Sequence, residues 1–320
     1  MNLKIRRHNL RIFFISLLLG IIYIYPLLQI EQFEGDFYKY QRDFNNLKDN
    51  YDWSRIFDNY ELGFRVFSYP FAKLNITFHA YLFIVSVIFY FFAGQLMFKN
   101  SSRKQGFFFY FLMLFLFPFY FAYDSLLNVV IRQGLAVIVI FAFFFPDRDR
   151  GHIYFLIVSF IASLFHTSAL IFFIVYVVSR FFKNMNFYVI FFLLSAILYI
   201  TDLPIFFAEL LNMVIIKIFF FKSNLMLFYD SNYKLGFSIY KFLATILPLF
   251  IYLLESKKNF SKNNKKKMLW QCYFFISSIG MMMSGLNYYD RVLIYSWIFI
   301  PTLSLPVIEI FFKNLLYLKK

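Results

Sequence analysis

The chain has one cysteine in 320 residues. An intramolecular disulfide is therefore excluded, and Cys272, set inside an apolar run, reads as a core side chain with no redox role. Histidine is nearly as scarce: His8, His79, His152 and His166 lie scattered along the sequence. No HExxH pair, no cysteine pair and no GxxxxGK[ST] loop occurs, so neither a metal centre nor a nucleotide site nor any other cofactor is expected. Acids are the minority charge, 17 Asp and Glu against 32 Lys and Arg, for a formal net charge of +15. In a soluble domain that surplus would suggest nucleic acid. Here the basic residues cluster between apolar runs, so membrane orientation accounts for them and no nucleic-acid partner is expected. Internal repeats and heptads are also missing. The lysine-rich "ESKKNFSKNNKKK" is the one low-complexity patch, and it reads as an orientation signal.

What the chain has in excess is apolar surface. It is 61% hydrophobic and 25% aromatic, with mean hydropathy +0.65. No soluble core hides that much, and several runs approach the roughly 20 residues needed to cross a bilayer. The 52 phenylalanines occur in every run and read as compositional bias. The expected fold is all-α: a polytopic integral membrane protein forming a single transmembrane domain over residues 1–320.

The clearest spans are 12–28, 77–98, 107–123, 129–146, 187–202, 239–254, 269–285 and 291–312. The first follows a basic head without a small-residue cleavage site, so an uncleaved helix is expected. Residues 153–182 are long for one span and short for two, and "SLFHTS" interrupts them at 163–168, where Thr167 or Ser168 can cap a second helix. Basic clusters at Lys4, Arg6, Arg7 and Arg11, at Lys99, Arg103 and Lys104, and in the loop 255–268 place those segments in the cytoplasm. With two short helices around His166, the count is about ten spans with both termini cytoplasmic. A single span there, with 205–221 crossing instead, gives the same count. The first is preferred because Glu209 and Lys217 make 205–221 look interfacial. The long loop 31–76 then lies outside, ending in a short apolar piece at 64–74 that contains Pro70 and suits a half-helix.

Two ionisable residues stand within the apolar runs. Arg132 lies in "NVVIRQGLAVIVIFAFFF" and His166 in "FLIVSFIASLFHTSALIFFIVYVV", and such residues inside a membrane mark function by default. Under the preferred topology both reach the outer side, where Asp290 and Arg291 open the last span. The planar, permanently charged fork of Arg132 suits a phosphate at head-group depth. His166 suits a general base toward a hydroxyl. In the outer loop, Asp36 can orient a sugar hydroxyl, Tyr38 and Tyr40 can stack on sugar rings, and Glu61 resembles Asp36 in setting. Arg132 also has a plainer reading, snorkelling or pairing with Asp124 or Asp290, as does His166, bonded to a backbone carbonyl.

Four of these stretches, taken in order, resemble one family. "EGDFYKY" (34–40), "YELGFR" (60–65), "NVVIRQGLA" (128–136) and "IASLFHTSALI" (161–171), with an arginine opening the last span, are similar to the EpsG-like branch of Wzy-type polysaccharide polymerases. The resemblance implies a glycosyltransferase of the bacterial cytoplasmic membrane, active on its outer face. Its partners would be undecaprenyl-diphosphate-linked oligosaccharide, membrane lipid, a repeat-unit flippase and a chain-length regulator. It also implies roles. Arg132 and Arg291 would neutralise the departing diphosphate, His166 would be the base, and Asp36, Tyr38 and Glu61 would position the acceptor. Gln133 and Asp290 complete the substrate-binding set, with Gly134 allowing close helix approach. Asp36 has no adjacent acid, so a carboxylate-led mechanism ranks second. A lipid-linked oligosaccharide transporter, an O-antigen ligase and an outer-face acyltransferase are the alternatives.

Overall fold

The long elements of this chain are apolar around their whole circumference rather than on one face, as helices surrounded by lipid and other helices must be. The computed structural model describes residues 3–30, 33, 35–48, 62–100, 120–144, 151–209, 234–255, 264–305 and 308, and every regular element among them is helical. Glu61, residues 107–119 of the third expected span and most of the basic loop lie outside the described residues. The chain divides into two compact units, Met1–Phe173 and Ile174–Lys320.

In the first unit, α1 (Leu3–Leu27) packs on α4 (Phe78–Asn100). His8 meets Phe98, Phe13 meets Phe91 and Gly20 meets Val87, so the two run antiparallel. Arg7–Leu27 and Phe78–Lys99 are each long and apolar enough to cross a membrane. Between them lie α2 (Gly35–Asn46) and α3 (Leu62–Lys73). The segment expected as a soluble loop is thus largely helical where described. Its charges obscure an apolar row at Phe37, Tyr40, Phe44 and Leu47, all buried, whose three- and four-residue spacing defines a helix face. The half-helix expected around Pro70 is α3. Its Ser68 hydroxyl donates to the Tyr81 hydroxyl of α4 at 2.8 Å.

Next come α5 (Phe121–Asn128) and α6 (Ile131–Val139), the latter running into a π-helical turn at Ile140–Phe144. Sequence reading ends one span at 123 and starts another at 129. Among the described residues, α5 covers the end of the first and the gap between the two, then bends by 112° into α6, and the pair passes together as one broken span or a re-entrant loop. Val130 sits at the bend with non-helical φ −130° and ψ 59°. The β-branched run Val129, Val130 and Ile131 gives little resistance to a break. A bend inside a membrane exposes carbonyls, and Tyr23 of α1 donates to that of Leu127 at 2.9 Å. Gly134 closes the elbow: a Cβ there would lie 2.5 Å from the Leu126 carbonyl oxygen. Gly134→Val is therefore expected to destabilise the protein by on the order of 2 kcal/mol. The measurement is thermal unfolding in detergent, with Gly151→Ala as control because nothing surrounds Gly151 within 4 Å.

Residues 153–182 form two short helices, α7 (His152–Phe165) and α8 (Ile171–Phe181), joined by a 3-10 turn at Thr167–Leu170. The break falls on His166, whose φ −155° and ψ 117° are extended.

In the second unit, α9 (Met185–Ile200) packs on α11 (Asn264–Met282), which packs on α12 (Tyr289–Trp297), which meets α10 (Ile239–Leu254). After α9 the chain turns by 78° into a helix at Leu203–Glu209, and that pair also passes as one broken span. Trp270, Tyr273 and Phe274 fill the core with Cys272, which is buried as expected. Pro248 interrupts the ladder of α10, and Tyr273 donates to the Thr245 carbonyl at 2.5 Å in that turn. Among the described residues, two helices are long and apolar enough to cross a membrane, or up to four when each bent pair is one span. The outward faces of α7, α9 and α10 carry Phe160, Ile161, Ile190, Leu194, Leu247 and Phe250. Apolar stripes of that extent belong in lipid.

Candidate active site

The elbow places Arg132 in the first turn of α6. Its guanidinium carbon stands 4.7 Å from the centroid of the Tyr40 ring, and Tyr40 is 2% exposed. This corrects the expectation that Tyr40 stacks on sugar. It lies on the buried apolar face of α2, and Arg132 covers its ring. A guanidinium over a ring gains about 0.5–2 kcal/mol. The ring seats the guanidinium at this point, and its N–H edge is the part that grips a phosphate.

Asp36 lies one turn before Tyr40 on the same side of α2. Lys39 donates to its carboxylate at 3.1 Å. Tyr38 points elsewhere and is 52% exposed, available to a soluble ligand group. Gln133 is fully buried in the elbow beside Gly134. Asp124, a candidate partner of Arg132 in the sequence, accepts from Asn128 one turn later.

His166 reaches the same end of this unit through α3. Gly63 packs on the backbone of α7, where a Cβ would lie 2.8 Å from Leu164 C and Phe165 N. Phe67 meets Phe165 at 6.2 Å and Phe64 meets Tyr40 at 5.7 Å. A continuous path of packed groups therefore runs from Arg132 through Tyr40 and Phe64 to the turn carrying His166, and α6 itself touches the 3-10 turn. The His166 Nδ1 is 2.7 Å from the Ser168 hydroxyl oxygen. Thr167 or Ser168 is the expected cap of the second helix. The Ser168 hydroxyl lies against the imidazole ring and can orient it.

Asp290 and Arg291 belong to the second unit, at the start of α12. The Arg291 guanidinium lies 4.3 Å over the Tyr288 ring. Tyr288 takes the left-handed conformation at φ 60°, and the Asp290 carboxylate accepts from the Arg291 N–H at 3.1 Å. Asp290 also pairs with Lys241 of α10 at 3.5 Å, a residue that sequence reading passed over.

Residues 6–316 match the EpsG family. The chain belongs to that family. EpsG-like proteins are Wzy-type polysaccharide polymerases, so this is a multi-pass membrane protein with a glycosyltransferase-type polymerase role. No curated protein and no solved structure matches the sequence. The family match spans all four stretches read from the sequence and Arg291.

Two participants in this EpsG-family protein were illegible as such in its sequence. Ser168 is two residues from His166, a spacing that also suits a cap, and only the 2.7 Å approach of its hydroxyl to Nδ1 brings out its contact with the ring. Lys241 occupies the third position of an apolar span, where a lone lysine reads as snorkelling.

Proposed function

We propose that this EpsG-family protein joins undecaprenyl-diphosphate-linked oligosaccharide repeat units on the outer face of the bacterial cytoplasmic membrane. The product would be capsule, exopolysaccharide or O-antigen. One observation carries the reading: an arginine seated over a tyrosine ring and a histidine against a serine hydroxyl sit on adjoining elements at one end of the first unit.

In the reaction, the bond from the donor sugar C1 to the diphosphate oxygen breaks, and the acceptor hydroxyl oxygen bonds to C1. The hydroxyl proton passes to His166 Nε2, and the diphosphate leaves with its charge toward Arg132. Acceptance at Nε2 requires that Nδ1 carry the proton and donate it to Ser168 Oγ, the bond that the 2.7 Å separation allows. Asp36 and Tyr38 face the acceptor, and Glu61 belongs to the same set. Neither a metal nor a nucleotide sugar is needed, because Arg132 supplies the positive charge and the lipid diphosphate is already activated. About ten crossings with both termini inside put this end of the unit outside. A repeat unit built in the cytoplasm must then be delivered by a flippase, and chain length set by a separate regulator.

The test is reconstitution. Purified protein in liposomes containing labelled lipid-linked repeat units is expected to lengthen them with no nucleotide sugar or divalent cation added. Movement of the label across the bilayer without lengthening would replace this reading with transport.

A further inference from the structure

Two ion pairs of opposite character lie among the described residues of the second unit. Lys266 and Glu255 are sealed: their side chains are 10% and 2% exposed, and Trp270 Nε1 also donates to the Glu255 carboxylate at 3.4 Å. Such a pair cannot be opened without burying a bare charge. Lys241 and Asp290 lie 3.5 Å apart with 27% and 31% of their side chains exposed. A pair that open contributes little stability and exchanges readily with other ions.

The frame around the open pair is fixed. Ser238 N–H donates to the Tyr199 hydroxyl at 3.0 Å, and the Tyr289 hydroxyl donates to the Gly236 carbonyl at 2.9 Å. The two buried hydroxyls are 3.1 Å apart. Because the Tyr289 proton goes to Gly236, Tyr199 is the donor between them. These bonds fasten the segment leading into α10 to both α9 and α12. Further along, Trp297 Nε1 donates to Thr245 Oγ1 at 3.0 Å, so α10 and α12 run parallel from the same end. Lys241 also lies 4.4 Å over the Tyr289 ring. The result is a carboxylate held between Lys241 and the following Arg291, at the positive ends of two helices.

We propose that Lys241 is an anion-binding residue and that Asp290 is its displaceable counter-ion, giving way to a diphosphate. That the ligand is the lipid-linked diphosphate rests on the polymerase reading. A phospholipid head group offers the same phosphate oxygens. A phosphate carrying more than one negative charge outcompetes a single carboxylate for an ammonium. On its departure Asp290 recovers Lys241, so the site empties instead of retaining product.

Binding of inorganic pyrophosphate to the full-length protein in neutral detergent tests this, in an Arg132→Ala background that removes the diphosphate contact proposed in the first unit. Lys241→Gln is expected to weaken binding about tenfold, with Lys241→Arg retaining it. Asp290→Asn keeps the oxygen that accepts from the Arg291 N–H but loses the competing charge, and is expected to tighten binding severalfold. A purely structural pair would instead lose in both variants. Absence of binding, an unchanged Lys241→Gln, or weaker binding by Asp290→Asn overturns the proposal, and the Asp290→Asn sign decides alone if Lys241→Gln fails to fold. In competition, displacement of pyrophosphate by undecaprenyl diphosphate well below the level needed for phosphatidylglycerol supports the carrier as ligand; equal potency overturns that identity in favour of a head-group site. Elongation by the otherwise unsubstituted protein is measured separately. Elongation with Lys241-independent binding sinks this inference alone, whereas Lys241-dependent binding without elongation sinks the polymerase reading alone.

Discussion

Cells carrying Arg132→Ala are expected to lose long-chain polysaccharide and to accumulate single lipid-linked repeat units, while the protein remains in the membrane at normal level. Removing one preorganised group that meets developing negative charge costs about 10²–10³ in rate. For a polymer, each added unit suffers that factor, so chain length collapses as well as yield. Arg132→Lys is expected to recover little. It keeps the charge but loses the planar fork, and the ring of Tyr40 at 4.7 Å no longer seats a guanidinium. Gel separation of surface polysaccharide and mass spectrometry of the lipid fraction read both effects. Polymer of normal length and amount from the alanine strain would remove Arg132 from the reaction.

Arg132 and His166 stand out in the sequence for one reason: an ionisable side chain is costly where its neighbours are Val, Ile, Leu and Phe. That contrast is local, so it survives without a structure. What brings them together is not local. The elbow between α5 and α6 depends on Tyr23 reaching a carbonyl 104 residues away and on the Leu126 carbonyl seated against Gly134. No window of hydropathy spans the 104 residues from Tyr23 to Leu127, and the approach of Gly134 to Leu126 follows from the bend and not from local apolarity, so the elbow is not legible in residues 120–144. α2 fails differently. Its buried row is legible at three- and four-residue spacing, but Asp36, Lys39, Arg42 and Asp43 lower its hydropathy enough to suggest a solvated loop. Lys241 fails for a third reason, since its significance comes from Asp290, which lies far along the chain in another helix. The position of His166 at a break was legible because polar Ser163, Thr167 and Ser168 surround it. Its bond to Ser168 was not, because a serine at that spacing serves a cap equally well.

His166 and Ser168 therefore yield a prediction with two distinct signatures. His166→Ala is expected to lower elongation by about 10²–10⁴, the range for loss of a positioned general base. The unsubstituted enzyme is expected to slow as the medium is acidified and the imidazole takes up its proton. His166→Ala loses that acid limb, which a merely structural histidine would leave in place. Added imidazole is expected to restore part of the rate, since it can accept the same proton. Ser168→Ala removes the partner 2.7 Å from Nδ1 and leaves the base free to rotate. Its expected effect is about tenfold, the worth of one hydrogen bond that holds a reacting group in line, with the acid limb preserved. Elongation assays across pH on the reconstituted protein separate these outcomes. An acid limb unchanged in His166→Ala would transfer the base role to a carboxylate of residues 31–76, with Asp36 the group to test next.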